Sequence, residues 1–259
     1  MRRTPITPNL TAFPDLIRPL LRGATLYDSS CSPQARVFYV EKDEGYYLKR
    51  SSKGTLEREA LLTRYFHNLG LGAEVLAYES LDEDWLLTRR VAGEDMTHSS
   101  VLADPARLCD TLAACLRMLH ALPCEGCPVK NHTVCYLATA EENYRAGLFD
   151  PSFADIPDLT PDGAWERVTS QGHLLQNDTL LHGDYCLPNI MLEDWRFSGF
   201  IDLGNGGIGD RHVDLFWGAW TLRFNLKTDR YRQRFFDAYG RDRIDPERLA
   251  LVGMIETFG

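Results

Sequence analysis

The sequence lacks any long apolar run. No window approaches the roughly 20 residues that a membrane-spanning helix needs, so no membrane insertion is expected. Positive charge is also scarce. The chain has 28 Lys and Arg against 37 Asp and Glu, a formal net charge of −9. Phosphate backbones would be repelled, which argues against nucleic acid as a partner and leaves a cationic ligand as the better match. Surplus surface acid also serves solubility alone. Met1-Arg2-Arg3-Thr4-Pro5 carries two basic residues with no apolar stretch behind them, so no secretory signal is expected. No internal repeat or low-complexity tract is visible, and nothing calls for an obligate protein partner. A Walker A lysine motif is missing, because Ser52-Lys53-Gly54 has no glycine frame before it. Cysteine is odd in number, seven residues at 31, 109, 115, 124, 127, 135 and 186. A chain of 259 residues can bury a sizeable core without cross-links, so reduced thiols in a cytoplasm are expected rather than a disulfide framework.

What is present divides into two regions. Residues 25–50 read as strands: Ala35 to Val40 is β-rich, Asp43-Glu44-Gly45 is turn chemistry, and Tyr46 to Lys49 resumes the extended pattern. A helix is expected from Thr55, as N-cap, to Gly70, as the glycine after its last turn, with Leu61, Leu62, Phe66 and Leu69 on one face. Val75 to Tyr78 and Trp85 to Thr88 read as two more strands. After Val91-Ala92-Gly93 the character changes. Asp104-Pro105 opens a helix whose apolar stripe is Leu108, Leu112, Cys115, Leu116 and Leu119. Helical segments dominate from there, apart from about 180–205 and the Pro- and Asp-rich loop from Phe149 to Asp162. The reading is an α+β chain with a small β-rich N-terminal lobe, residues 1–91, and a larger, mainly helical C-terminal lobe, residues 92–259.

The most informative stretch runs from Leu180 to Gly209. It contains His182-Gly183-Asp184, then Asn189, a short strand to Leu192, a turn at Glu193-Asp194, a second strand from Phe197 to Ile201, and Asp202-Leu203-Gly204. Two acids and an amide are thereby held at adjacent loop and hairpin ends. Phosphoryl transfer needs such groups: one carboxylate to accept or orient the proton of the attacking hydroxyl, and oxygen ligands from Asn and a second Asp to hold magnesium against the phosphates. Any one motif alone would read as an acidic turn. In this order, with apolar strands between, they point to the kinase catalytic and metal-binding loops.

His-Gly-Asp in place of His-Arg-Asp resembles the aminoglycoside phosphotransferase and choline kinase superfamily. The longer run from His182 to Met191, followed by Phe197 to Asp202, is most similar to the aminoglycoside 3′-phosphotransferases, and the likeness covers most of the chain. The resemblance implies a bilobal protein-kinase-like fold and an ATP- and Mg2+-dependent transfer of phosphate to a hydroxyl of a small molecule, an aminoglycoside at its 3′-type hydroxyl. The alternatives are a kinase of the same fold acting on choline, a sugar or a macrolide, and a catalytically silent nucleotide-binding homologue. By resemblance, Asp184 is the catalytic base, and Asn189 and Asp202 bind the metal. Lys49 contacts the ATP phosphates and Glu59 pairs with it. Arg89 to Val91 offers backbone to adenine, and Ser29 to Ser32 covers the phosphates although it lacks a protein kinase's glycines. Asp214 braces the catalytic loop from the following helix. Glu256 and Phe258, in a tail of acidic and aromatic residues, and Asp155 and Asp158, in the 149–162 loop, are the candidate acceptor contacts, with Asp150 a further acid there.

The chain departs from the 3′-phosphotransferase pattern at Asn205, where arginine is usual, at Trp220-Thr221, where an Arg-Asp pair is common, and at Ile255, where the tail usually carries a second acid. Each change removes a group that could meet a polycation or its counter-ions. Gly204 to Gly209 matches G-x-G-x-x-G, but it follows the metal-binding aspartate, and no βαβ unit with an acid at its second strand is in view. Cys124, Cys127, His132 and Cys135 could ligate zinc, but their spacing is wrong for a knuckle. His120 and His173 have no evident partner in the sequence. Trp217 and Trp220 read as core or pocket wall.

Overall fold

Alternation along Tyr46–Ser52 decides how the first half is built. Successive side chains of a strand point to opposite faces, so Leu48 and Lys49 must part company. In the computed structural model, which describes residues 4–7, 10–31 and 35–259, Leu48 is fully buried on one face of a sheet and Lys49 reaches the other. In chain order the strands are β1 (Thr4–Ile6), β2 (Thr25–Asp28), β3 (Arg36–Glu41), β4 (Tyr46–Ser52), β5 (Val75–Ser80), β6 (Glu83–Arg89), β7 (Glu94–Asp95), β8 (Thr179–Leu181), β9 (Ile190–Glu193), β10 (Arg196–Phe200) and β11 (Gly207–Gly209). The helices are α1 (Arg18–Leu21), α2 (Glu57–Asn68), α3 (Ser99–Leu102), α4 (Pro105–His120), α5 (His132–Arg145), α6 (Pro161–Gln171), α7 (His212–Leu226), α8 (Arg232–Tyr239) and α9 (Pro246–Glu256). None of the described helices is long and apolar enough to cross a membrane.

Contacts group the chain into two compact units, Met1–Gly93 with Met191–Gly204, and Glu94–Ile190 with Asn205–Gly259. The first is a six-stranded sheet in the order β1-β2-β3-β4-β6-β5, and its neighbouring strands pair antiparallel. One face buries Leu26, Phe38, Val40, Leu48, Trp85 and Leu87 under Phe13, Ile17 and Leu21. The other receives α2 through Leu56, Ala60 and Leu86, joined by Val75 and Tyr78. The N-cap is Leu56, one residue later than the sequence suggests. Thr55 turns its hydroxyl to the Ser52 carbonyl at 2.7 Å instead of capping. Its expected apolar face also divides: Leu62 and Phe66, one helical turn apart, are buried, whereas Leu61 and Leu69 lie off that stripe and are exposed. Gly70 ends the helix in the left-handed region at φ 72°, as its sequence position predicts. The β9–β10 hairpin then returns to this unit. Phe200 donates its amide to the Leu71 carbonyl at 2.7 Å, and its ring meets Phe66 edge-on at 6.2 Å.

The second unit is helical around a small antiparallel pair, β8 and β11. Asp104 caps α4 by accepting from the Arg107 amide. All five residues of the α4 stripe are buried. The carboxyl-terminal α9 buries Leu249 and every residue from Leu251 to Glu256. The glycine-rich run ends in β11, an antiparallel partner of β8, and so builds no βαβ turn.

Candidate active site

Within the first unit three predicted residues converge. Lys49 on β4 and Glu59 in the first turn of α2 are joined by two contacts, Nζ to Oε1 at 2.7 Å and to Oε2 at 3.0 Å. Asp202, delivered by the end of the β9–β10 hairpin, accepts from the same ammonium. Burial alone would lower the Lys49 pKa, but the charges of Asp202 and Glu59 reverse this and hold it above the ordinary lysine value. Two carboxylates around one ammonium leave a net negative charge. Asp202 is half-exposed, 49% by side chain, so a hard cation can reach an oxygen donor there.

Other nucleotide-side residues are placed as follows. Arg89 ends β6, and its guanidinium pairs with Glu74 at 2.8 Å. Its amide is engaged by the Glu74 carbonyl, so of that segment's backbone this amide is already taken. Val91 is partly buried and lies against Gly199. Ser29 is buried with its amide on the Val37 carbonyl, and the Ser30 hydroxyl accepts from the Val37 amide. Ser32 lies outside the described residues.

The second unit fixes Asp184. Gly183 takes φ 82°, and a Cβ there would stand 2.0 Å from the Asn205 carbonyl oxygen, so only glycine fits. The buried carboxylate of Asp214 accepts the His182 amide on Oδ2 and the Gly183 amide on Oδ1, both at 2.8 Å. The Tyr185 hydroxyl donates to the Leu112 carbonyl, and the Leu187 amide donates to Thr221 Oγ1. Asn189 donates its amide nitrogen to the Asp184 carbonyl at 3.0 Å and to Asp184 Oδ2 at 2.8 Å. That orients the carboxylate and leaves the Asn189 amide oxygen as a further hard donor.

His120 is not a lone side chain. Buried at the end of α4, it places Nε2 3.1 Å from Asp214 Oδ2 and Nδ1 2.9 Å from the Tyr239 hydroxyl. An ionised carboxylate only accepts, so Nε2 carries a proton and donates it to Asp214. Burial alone would raise Asp214, but His120 and the His182 amide hold its carboxyl below the ordinary range.

The acceptor-side candidates separate sharply. Glu256 is buried, and its Oε1 accepts from the Tyr136 hydroxyl at 2.6 Å and the Trp217 indole at 2.9 Å. Burial, helped by the negative charge of Asp184, pushes its carboxyl up to about 7 against the pull of those two donors. Phe258, 1% exposed, is packed among Tyr144, Phe149 and Trp165. It supports the tail and offers no free face. Ile255 is in the same core, where an acid would be stranded. Asp155 is clamped by Arg223 at 3.3 Å and Arg232 at 2.9 Å. Asp158 sits on an exposed turn at φ 55°. Asp150 accepts the Ser152 amide. Trp220 stacks on Phe224 at 4.9 Å and on Phe153 at 6.0 Å. Cys124 and Cys127 donate to the carbonyls of Asp178 and Val129. Sequence reasoning missed the partners of His120, Tyr136 and Trp217, because each is recruited from a distant helix. A polar residue closing an apolar stripe, as His120 does, was the available signal.

Residues 34–252 match the model of a family described as the phosphotransferase enzyme family. The chain is 49% identical over 253 residues, 97% of each protein, to one from Lactococcus lactis subsp. lactis named a probable aminoglycoside 3'-phosphotransferase. It is 31% identical over 178 residues, 68% of this chain and 67% of the other, to an aminoglycoside 3'-phosphotransferase of Niallia circulans. Among solved structures, aminoglycoside phosphotransferase APH(3'')-Id from Streptomyces rimosus, known also in complex with ADP and streptomycin, aligns with a TM-score of 0.73 at 26% identity, covering 98% of this chain and 100% of that one.

Proposed function

The chain belongs to the phosphotransferase enzyme family, and from that premise we propose that it transfers the γ-phosphoryl group of ATP to a hydroxyl of an aminoglycoside, at a 3′-type position. The observation that carries the reading is Asp184. Its carboxylate is oriented by Asn189 on a loop that Asp214 pins through two backbone amides. A substrate hydroxyl beside Asp184 gives up its proton to that carboxylate as its oxygen bonds to the γ-phosphorus. The bond from the γ-phosphorus to the β–γ bridging oxygen breaks, and ADP leaves with the electron pair. Catalysis of this kind is mostly positioning and charge neutralisation.

Lys49, kept in place by Glu59, holds the ATP phosphates, and the backbone from Arg89 to Val91 carries adenine. The oxygen-only set of Asp202 and Asn189 suits Mg2+. When bound, that ion supplies neutralising charge to the phosphates. Glu256 is a buried carboxylate near the negative Asp184, and both of its hydrogen-bond partners are neutral. A buried anion with that surrounding is satisfied by a cation, which an aminoglycoside ammonium provides. Asp158 adds negative charge at the surface, whereas the charge of Asp155 is met by Arg223 and Arg232. A cytoplasmic enzyme fits this reading, since that compartment supplies ATP and keeps free cysteines such as these reduced. Its role there is antibiotic resistance, since a transferred phosphate changes the charge and shape of the drug.

ADP release by the purified protein with ATP and Mg2+ tests the proposal, across kanamycin, neomycin, a 3′-deoxy aminoglycoside, streptomycin, choline and a macrolide. Turnover on kanamycin and neomycin, none on the 3′-deoxy compound, and none with Asp184→Ala are expected. Turnover on choline or the macrolide alone would refute the aminoglycoside assignment. Full activity of Asp184→Ala would remove Asp184 from the reaction.

A further inference from the structure

Asp84 is an acid with no part in the chemistry above, yet it is wholly buried. It stands on β6 opposite Ser51, two residues along the same ladder from the Lys49–Leu86 pair. Its Oδ2 accepts the Leu56 amide at 2.9 Å and the Tyr78 hydroxyl at 3.2 Å. Burial alone would raise its pKa, but hydrogen bonds from Ser80, the Gly54 and Leu56 amides and Tyr78 hold the carboxyl below the ordinary range. Leu56 is the N-cap position of α2, and leucine has no oxygen to cap with. The cap is thus supplied by a neighbouring strand, and the buried charge lies at the positive end of a helix. Glu59 is the third residue of that helix and reaches Lys49 from its first turn.

We propose that Asp84 is a positioning residue for nucleotide binding: by tying the start of α2 to the strand beside β4, it sets where Glu59 meets Lys49. A local cap formed by Thr55 would secure the helix but not its placement on the sheet. The cross-strand cap does both, because one carboxylate joins the helix start, the β5 residue Tyr78 and the strand paired with the lysine's own. The inference rests on the assignment of Lys49 to the ATP phosphates.

The test measures the affinity of the full chain for a fluorescent ATP analogue with Mg2+, alongside thermal midpoints and acceptor KM. Asp84→Ala is expected to weaken nucleotide binding about fivefold, the factor that one lost cap represents, with acceptor KM unchanged. Asp84→Glu keeps the charge but lengthens the tether, so it should show a loss of the same order and serves if Asp84→Ala does not fold. Asp84→Asn keeps the accepting oxygen and should recover most of the affinity. Leu26→Ala, in the core on the opposite sheet face, should lower the midpoint without moving nucleotide affinity. Unchanged affinity in a folded Asp84→Ala or Asp84→Glu would overturn the inference and leave Asp84 a stability residue. Absence of nucleotide binding in the wild-type chain would instead overturn the reading of Lys49, so the two failures are separable.

Discussion

The two charged centres, one in each unit, hold their carboxylates in opposite ways. In the first, Glu59 and Asp202 share one ammonium. In the second, Asp214 is met by two backbone amides and His120, and Glu256 by a phenol and an indole. An ion pair holds a charge in position and leaves it available to a charged ligand. A carboxylate wrapped in directed hydrogen bonds fixes backbone geometry instead, since each N–H admits a narrow range of angles. Glu256 falls between these cases. It is hydrogen-bonded, but its two donors are neutral, and burial pushes its carboxyl up to about 7.

Removing Asp214 should break the comparison most forcibly. Asp214→Ala strands two buried amides and an imidazole nitrogen, each costing about 1–3 kcal/mol. Expected are a kcat at least about a hundredfold lower by that arithmetic and a depressed thermal midpoint, with the fluorescent ATP analogue binding nearly as in wild type. Loss of nucleotide affinity as large as the loss in kcat would erase the distinction between the two centres. Lys49→Met should do the reverse and raise KM for ATP about tenfold or more, as expected for a lost charge-assisted contact, with acceptor KM little changed.

Glu256→Gln sharpens the intermediate case through pH. The folded-state carboxyl titrates near 7 rather than its usual 4.5. The folded chain therefore keeps its proton where the unfolded chain has lost it. Stability falls as pH rises from about 4.5 to about 7 and is flat beyond. The glutamine variant should consequently melt several degrees above wild type at pH 8 and close to it at pH 4.5. Its acceptor kcat/KM should be reduced and lack the decline expected of wild type below about pH 7. An unaltered pH profile for acceptor kcat/KM would exclude Glu256 from amine binding. The smallest effect is expected from Trp217→Phe, which removes one neutral donor from Glu256. A change of about fivefold in acceptor KM, the size of one hydrogen bond, with no change in KM for ATP, would keep the indole on the acceptor side.

Much of this was legible along the chain. The order His182, Asp184, Asn189, hairpin, Asp202 gave the chemistry its sequence, and strand alternation put Lys49 opposite Leu48. The Asp104 cap and the α4 stripe were readable because each is local, set within one or two helical turns. What could not be read depends on contacts between distant residues. Along the sequence Asp84 is one of a run of acids with Asp82 and Glu83, and only the folded sheet, which takes it into β6, selects it for burial. His120 needs Asp214, 94 residues away. Thr55 has the chemistry of a cap but loses the position to a residue on another strand. Leu61 and Leu69 fit an apolar helix pattern yet face outward, because α2 buries a stripe narrower than its leucine content. Phe258 reads as a ligand contact from its place in the tail, whereas the surrounding aromatic rings close over it.

Asp202 adopts φ 58°, a backbone region that favours Gly, Asn and Asp and costs other side chains about 1–2 kcal/mol. Its contact with the Lys49 ammonium requires an anionic oxygen, which only Asp and Glu supply. These are independent filters, one on shape and one on charge, and aspartate passes both at the lowest cost. Mutational drift at this position therefore has no neutral neighbour to visit: glutamate is strained on the backbone by about 1–2 kcal/mol, alanine and glycine lack both reach and charge, and asparagine fails on charge alone. That last variant isolates the chemistry from the turn, and a library selected for function at residue 202 should return a single letter.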